Sequence, residues 1–98
     1  MIIRLQSLFG LDMIKAFGGD EVALQADKMK LMDFLQELSR QSGSTIKLID
    51  LNTGDVVNEY FVLVNGCDYQ SLLHGLNTEL HDGDEVAIGP VDLVFSGG

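Results

Sequence analysis

The order of apolar and polar positions divides the chain into short β-type runs around a single helical stretch. Ile3, Leu5, Leu8 and Phe9 alternate with or flank Arg4, Gln6 and Ser7, which predicts a first strand over Ile3–Phe9. Gly10 to Asp20 reads as a loop closed by the turn signal Gly18-Gly19-Asp20. Glu21 to Ala26 alternates again, so the first two strands are expected to form a hairpin with a long tip. Asp27 is placed to cap a helix, its carboxylate accepting orphan backbone N–H groups and matching the helix dipole. Leu31, Phe34, Leu35 and Leu38 then recur at three-and-four spacing, with Asp33, Glu37 and Arg40 on other faces. Gly43, after Gln41 and Ser42, is suited to the left-handed backbone that closes such a helix.

Thr45 to Ile49 is a third short strand, and Asn52-Thr53-Gly54-Asp55 a turn. The near-continuous apolar run Tyr60-Phe61-Val62-Leu63-Val64 predicts a central strand buried on both faces, stopping at Asn65-Gly66. Asp68 to Leu80 reads as irregular, Asp82-Gly83-Asp84 as a sharp turn, and Glu85 to Ile88 as a strand stopped or bent by Gly89-Pro90. The last segment, Val91 to Phe95, is apolar and leads into Ser96-Gly97-Gly98. Two strands, one helix and further strands predict an α+β domain, the helix packed across one face of a mixed sheet.

Size and charge narrow what such a domain does. The 98 residues make one domain, 1–98, and chains near this length bury roughly 60–68% of the surface their unfolded form exposes. Fifteen acidic residues against six scattered Lys and Arg give a net charge of −9. That balance argues against a nucleic-acid partner or an anionic membrane surface and favours a partner with a basic docking surface. Cys67 is the single cysteine, so no internal disulfide forms and a reducing compartment is expected. The first ten residues do not read as a secretory signal, because Gln6 and Ser7 break the apolar run and Asp12 and Lys15 follow. A cytoplasmic location is the expectation.

No catalytic constellation is legible within the chain. No serine lies in a nucleophile-elbow context, and Cys67 has no base that the sequence identifies. His74 and His81 lack any Cys or carboxylate spacing that describes a metal site, and Gly18-Gly19 lacks the phosphate-binding fingerprint. What remains is the carboxyl end. Gly97 and Gly98 carry no side chain, so they can thread a narrow tunnel and present a carboxylate to another enzyme's chemistry.

Several segments taken together resemble the ubiquitin-like sulfur carriers, the MoaD/ThiS-like family that includes the small subunit of molybdopterin synthase and its thiamine-pathway relative. They are Phe61 to Gly66, Gly75 to Leu80, Asp82 to Ile88, Pro90-Val91 and the terminal Gly97-Gly98. The N-terminal half agrees more loosely, through Arg4-Leu5 to Phe9-Gly10, Gly19 to Val22, and the helix carrying Leu31, Leu35 and Leu38. The chain departs from the family in two places. Asp92 to Ser96 makes a longer, more apolar approach to the diglycine, and Leu11 to Ala16 replaces a stretch usually rich in proline and arginine.

The resemblance implies a β-grasp fold with residues 91–98 as a tail. It implies that the protein is not itself an enzyme and binds no cofactor. A ubiquitin-activating type of adenylating enzyme would use ATP to turn the Gly98 carboxylate into an acyl-adenylate. A sulfur donor such as a cysteine desulfurase would then yield a thiocarboxylate, for delivery within a partner such as the molybdopterin synthase large subunit. Leu93, Val94, Phe95 and Ser96 would contact the partner, with Val91 as a further apolar anchor. Leu93 to Gly98, if extended, reaches about 20 Å at about 3.4 Å per residue. Chain length and Pro90-Val91 favour the molybdopterin type over the thiamine type. Two alternatives use the same residues differently. One is a protein modifier joined to lysines through Gly98, and the other is an interaction module in which Val91, Leu93 and Phe95 belong to a last strand.

Overall fold

Helix α1, Leu31–Gln41, organises the interior because its apolar stripe has nowhere else to go: Leu31, Phe34, Leu35 and Leu38 are all fully buried. In this computed structural model, residues 1–7, 19–43 and 47–90 are described, Pro90 by its backbone only. The helix ends as its sequence predicts. Gly43 takes φ +70°, and the Ser42 and Gly43 amides donate to the carbonyls of Leu38 (3.1 Å) and Arg40 (3.0 Å). Its start differs from expectation. Asp27 does not cap it, because Lys28–Lys30 forms strand β3 and the N-cap is Lys30, with no side-chain capping bond. The pairing of Met29 with Leu80 is the physical reason, since it seals that edge of the core before the helix begins. The Leu31 amide instead donates to the Thr78 carbonyl at 2.8 Å, and Asp33 supplies the negative charge in the first turn.

The sheet beneath the helix holds five strands in the order β2-β1-β9-β6-β7. Strand β1 spans Ile2–Ser7, β2 Glu21–Ala23, β6 Tyr60–Val64, β7 Cys67–Asp68 and β9 Glu85–Pro90. Strands β1 and β9 run parallel and the other pairs antiparallel, so the sheet is mixed, and with its single main helix it is a β-grasp fold. Period-two alternation sends Ile3, Leu5, Val22, Val62, Val64, Val86 and Ile88 to the helix side, where all are buried. The first two strands pair antiparallel as expected, although β2 ends at Ala23 and not Ala26; Leu8, Phe9 and the loop residues 10–18 lie outside the described residues. Strand β1 begins at Ile2, and the Leu24 amide turns to the Met1 carbonyl at 2.8 Å.

Two readings of the second half need correction. Strand β6 is not buried on both faces: Val62 and Val64 are, whereas Tyr60, Phe61 and Leu63 are half-buried. Among the described residues the one α-helix packs on a single face of the sheet, and β6 lies next to the edge strand. Gly89-Pro90 does not stop or bend β9 either. Phe61 pairs with Gly89 and Tyr60 with Pro90, so the strand runs through both. A proline at the last position of a strand costs little in ladder hydrogen bonds.

The remaining pieces are small. Of the predicted strand Thr45–Ile49, residues 44–46 lie outside the described residues, and Ile49–Asp50 forms β4, paired with β5 at Asp55–Val56. Asp68 to Leu80 was expected to be irregular; it holds single 3-10 turns at Tyr69–Ser71 and Gly75–Asn77 before β8, Glu79–His81. Tyr69 fastens this region to β5. It is buried, its phenol donates to Asp55 Oδ1 at 2.8 Å, and the Gln70 amide nitrogen donates to the phenol at 3.3 Å.

Burial, and then the bond to Asp55, hold the Tyr69 phenol above its ordinary value of 10.0. The native state therefore keeps this proton in a pH range where the unfolded chain has already lost it. Stability from this group is whole below pH 10 and is lost as pH rises beyond it. Tyr69→Phe should lower stability by about 0.5–1.5 kcal/mol at neutral pH in urea unfolding. The variant should also lose this part of the alkaline decline.

Candidate functional site

Strand β9 delivers the chain to the place where the terminal residues begin. Its last position, Pro90, is opposite Tyr60, at the start of β6. Because β1 runs parallel to β9, Ser7 at the end of β1 pairs with Ile88 at this same end of the sheet. The last described residues thus lie in the middle of the sheet, on a strand with β1 on one side and β6 on the other. The predicted residues Leu93, Val94, Phe95, Ser96, Gly97 and Gly98 lie outside the described residues, as do Val91 and the question of whether 91–95 continues a strand.

What the structure does show is the sheet face away from the helix. Strand register brings Glu21, Arg4 and Glu85 into one row, the arginine between two carboxylates. A second row joins Gln6, Ala87, Leu63 and Asp68, and a third joins Gly89 to Phe61. The face is therefore divided. Its β2 side is polar and holds a shallow cleft of about 370 Å³ lined by Arg4, Leu5, Gln6, Asp20, Glu21 and Glu85. Its β6 side is apolar, with half-buried Phe61 and Leu63 flanking the buried Ala87 and Gly89 beside the point of exit.

Sequence reasoning missed this apolar half. The signal was present in the alternation of Tyr60 to Val64 against Glu85 to Gly89. It needs the register between the two strands before Phe61, Leu63, Ala87 and Gly89 can be seen to share one face.

The other candidate groups stay apart from this surface or from each other. Cys67 is exposed on the edge strand β7. His74 is exposed between the 3-10 turns, while His81 Nε2 lies 3.0 Å from Glu79 Oε1, whose other oxygen is 3.8 Å from Lys28 Nζ. Among the described residues no three His, Cys, Asp or Glu side chains come together to hold a metal, and no helix is long and apolar enough to cross a membrane. The pair Glu37 and Arg40 on α1 is a surface ion pair: the arginine's hydrogen bond holds the Glu37 carboxyl below its ordinary value.

No family description matches the sequence, and no curated protein matches it. Solved structures do match. The Haloferax volcanii HVO 2177 protein is 27% identical with a TM-score of 0.67, over 92% of this chain and 82% of that one. The small archaeal modifier protein 1 from Methanosarcina acetivorans is 25% identical with a TM-score of 0.62, over 91% of each chain. A putative molybdopterin converting factor, subunit 1, from Pyrococcus furiosus reaches a TM-score of 0.61 at 18% identity, over 92% of this chain and 97% of that one. At 18% the likeness is one of fold.

The row of Glu21, Arg4 and Glu85 makes its own prediction. Arg4→Glu places three carboxylates side by side on adjacent strands, which should cost on the order of 0.5–1 kcal/mol at low ionic strength. Thermal melts with and without salt should show the loss shrinking as salt screens the repulsion.

Proposed function

We propose that this chain, which has the β-grasp fold of its structural neighbours and resembles the ubiquitin-like MoaD/ThiS-like carriers, is a carrier whose Gly98 carboxylate is activated by a partner enzyme and loaded with sulfur. The observation that carries the reading is where the diglycine stands. Gly97 and Gly98 stand seven and eight residues beyond Pro90, the last described residue of a central strand whose outward face, with Phe61 and Leu63 beside it, is apolar. A docking partner can hold the folded domain by Phe61 and Leu63 while the glycines enter its active site. Such a protein is a carrier and not a catalyst, in keeping with its small carrier-type neighbours.

The chemistry follows from the acyl group. A carboxylate is a poor acyl donor, so the partner uses ATP to join AMP to the Gly98 carboxylate, releasing pyrophosphate. The outer sulfur of a persulfide donor then attacks the acyl carbon, expelling AMP and forming an acyl disulfide, and a partner thiol cleaves its S–S bond, taking the donor sulfur into a disulfide and releasing the thiocarboxylate. ATP belongs to the partner; this chain binds no cofactor. Leu93, Val94, Phe95 and Ser96 line the partner's channel, and the net charge of −9 suits a partner with a basic docking surface. The acceptor is a cofactor precursor of the molybdopterin type, a reading supported by the Pro90-Val91 pair and by the fold shared with the Pyrococcus furiosus protein. The location is the cytoplasm.

A second reading has an observation of its own. The Methanosarcina acetivorans neighbour is named a modifier protein. The same adenylated Gly98 can pass to a lysine and form an isopeptide bond instead of taking sulfur.

Intact mass after incubation with an adenylating enzyme, ATP and a sulfide source separates these readings. Replacement of one oxygen by sulfur in the C-terminal peptide is the expected result. Removal of Gly97-Gly98 should abolish it while leaving the melting curve unchanged. Ser-Gly-Gly remnants on lysines of other proteins after cleavage at Phe95 by chymotrypsin, without sulfur loading, would favour the modifier.

A separate variant addresses docking. Leu63→Asp should weaken binding to the adenylating enzyme at least about tenfold, as loss of a central apolar anchor does. Because Leu63 is only half-buried, the circular dichroism spectrum should stay native.

A further inference from the structure

Asn65 is the only non-glycine residue among the described residues with positive φ, 51°, and Gly66 follows it at φ +86°. Together they make the two-residue turn between β6 and β7, closed by the pairing of Val64 with Cys67. Three hydrogen bonds tie Asn65 to the beginning of β9. Its backbone amide donates to the Glu85 carbonyl at 2.8 Å, and its side-chain Oδ1 accepts from the Glu85 amide at 2.9 Å. Its Nδ2 donates to Asp84 Oδ1 at 3.2 Å. Asp84 is itself fixed, its Oδ2 accepting from the His81 amide at 2.8 Å. Gly66 is exposed, and nothing approaches within 4 Å of the position a Cβ would take. Gly66 brings no side chain of its own to hinder attack by its backbone nitrogen.

An asparagine followed by an unhindered glycine carries a reaction of its own. The Gly66 nitrogen, after losing its proton to base, attacks Cγ of Asn65. A C–N bond forms, the bond from Cγ to Nδ2 breaks, and Nδ2 leaves as ammonia. One water then opens the cyclic imide at either carbonyl, giving aspartate or isoaspartate. Water is the only co-reactant, and no oxidation or reduction occurs. We propose that Asn65 is a spontaneous deamidation site gated by the fold, its carboxamide released for reaction only when the Asn65–Glu85 and Asn65–Asp84 hydrogen bonds open together.

The gate follows from the contacts. For Cγ to meet the Gly66 nitrogen the carboxamide must turn, and both of its polar atoms are engaged by the turn that precedes β9. Reaction proceeds from locally opened molecules, so its rate measures how often this corner of the sheet opens. The product locks the corner open. Aspartate at 65 keeps an acceptor for the Glu85 amide but loses the donor to Asp84, setting two carboxylates at the former hydrogen-bond distance. Isoaspartate adds a backbone carbon to a two-residue turn and breaks the Val64–Cys67 register. Either way a chain of net charge −9 gains one more negative charge at the corner that anchors β9.

The test incubates the full chain at mildly alkaline pH, folded and in concentrated urea, and follows the peptide containing Asn65 by mass and by isoaspartate content. Deamidation should be at least about tenfold slower in the folded chain, as local opening demands. Equal rates would overturn the gate, and an unmodified Asn65 in urea would overturn the site. Asp84→Ala, which removes one anchor, should speed the folded-state reaction; an unchanged rate in a variant with a native spectrum contradicts the proposal. Should that variant not fold, hydrogen exchange of the Glu85 amide in the unaltered protein serves instead. Its open fraction should match the folded-to-urea rate ratio, and a mismatch beyond about tenfold is contrary to opening as the common step.

Discussion

The parallel pairing of β1 with β9 is the constraint on which the rest of this molecule hangs. It joins Arg4 to Glu85 and Ser7 to Ile88, and the adjoining Ile2 amide reaches Asp82 Oδ1 at 2.7 Å across 80 residues of sequence. Parallel neighbours cannot be joined by a tight turn, so the intervening chain must cross over, and it does so through α1. The helix then lies over Ile3, Leu5, Val86 and Ile88, the residues that the pairing has brought side by side. Helix position, core composition and the place where the chain leaves the sheet are three results of one contact.

Among the described residues, α1 packs on one side of the sheet and the other side presents a face of mixed character. Its two halves differ in chemistry because the strands differ in neighbours. Strand β2, at the edge, carries Glu21 and meets Arg4; β6, one place in from the opposite edge, carries Phe61 and Leu63 against the small residues Ala87 and Gly89. Small residues on β9 stand opposite larger ones on β6, which makes this half of the face apolar. A partner meeting it would gain contact area before any residue of the terminal segment is engaged.

Legibility in the sequence followed the range of the interactions involved. The helix was readable because its stripe of Leu31, Phe34, Leu35 and Leu38 and its terminal Gly43 are local signals. The resemblance carried by Phe61 to Gly66 and Asp82 to Ile88 gave the fold class and the mixed sheet. What depended on a distant partner was misread. Asp27 looked like a cap because nothing nearby reveals that Lys28 to Lys30 will pair with Glu79 to His81. The apolar run of β6 looked doubly buried because the sequence does not say how many layers cover it. The same gap hid the apolar half of the outer face, which exists only once β6 and β9 are in register.

The central seat of β9 also bears on how the chain is made. A ribosome releases β1, β2 and α1 first, yet the strand that fills the gap between β1 and β6 emerges after every other described element. Until it does, β1 and β6 have no common neighbour, and the apolar residues Ile3, Leu5, Val62 and Val64 lack the strand that completes their side of the core. Domains tend to fold as units during synthesis. Here the unit closes only when the stretch immediately before the terminal segment is available.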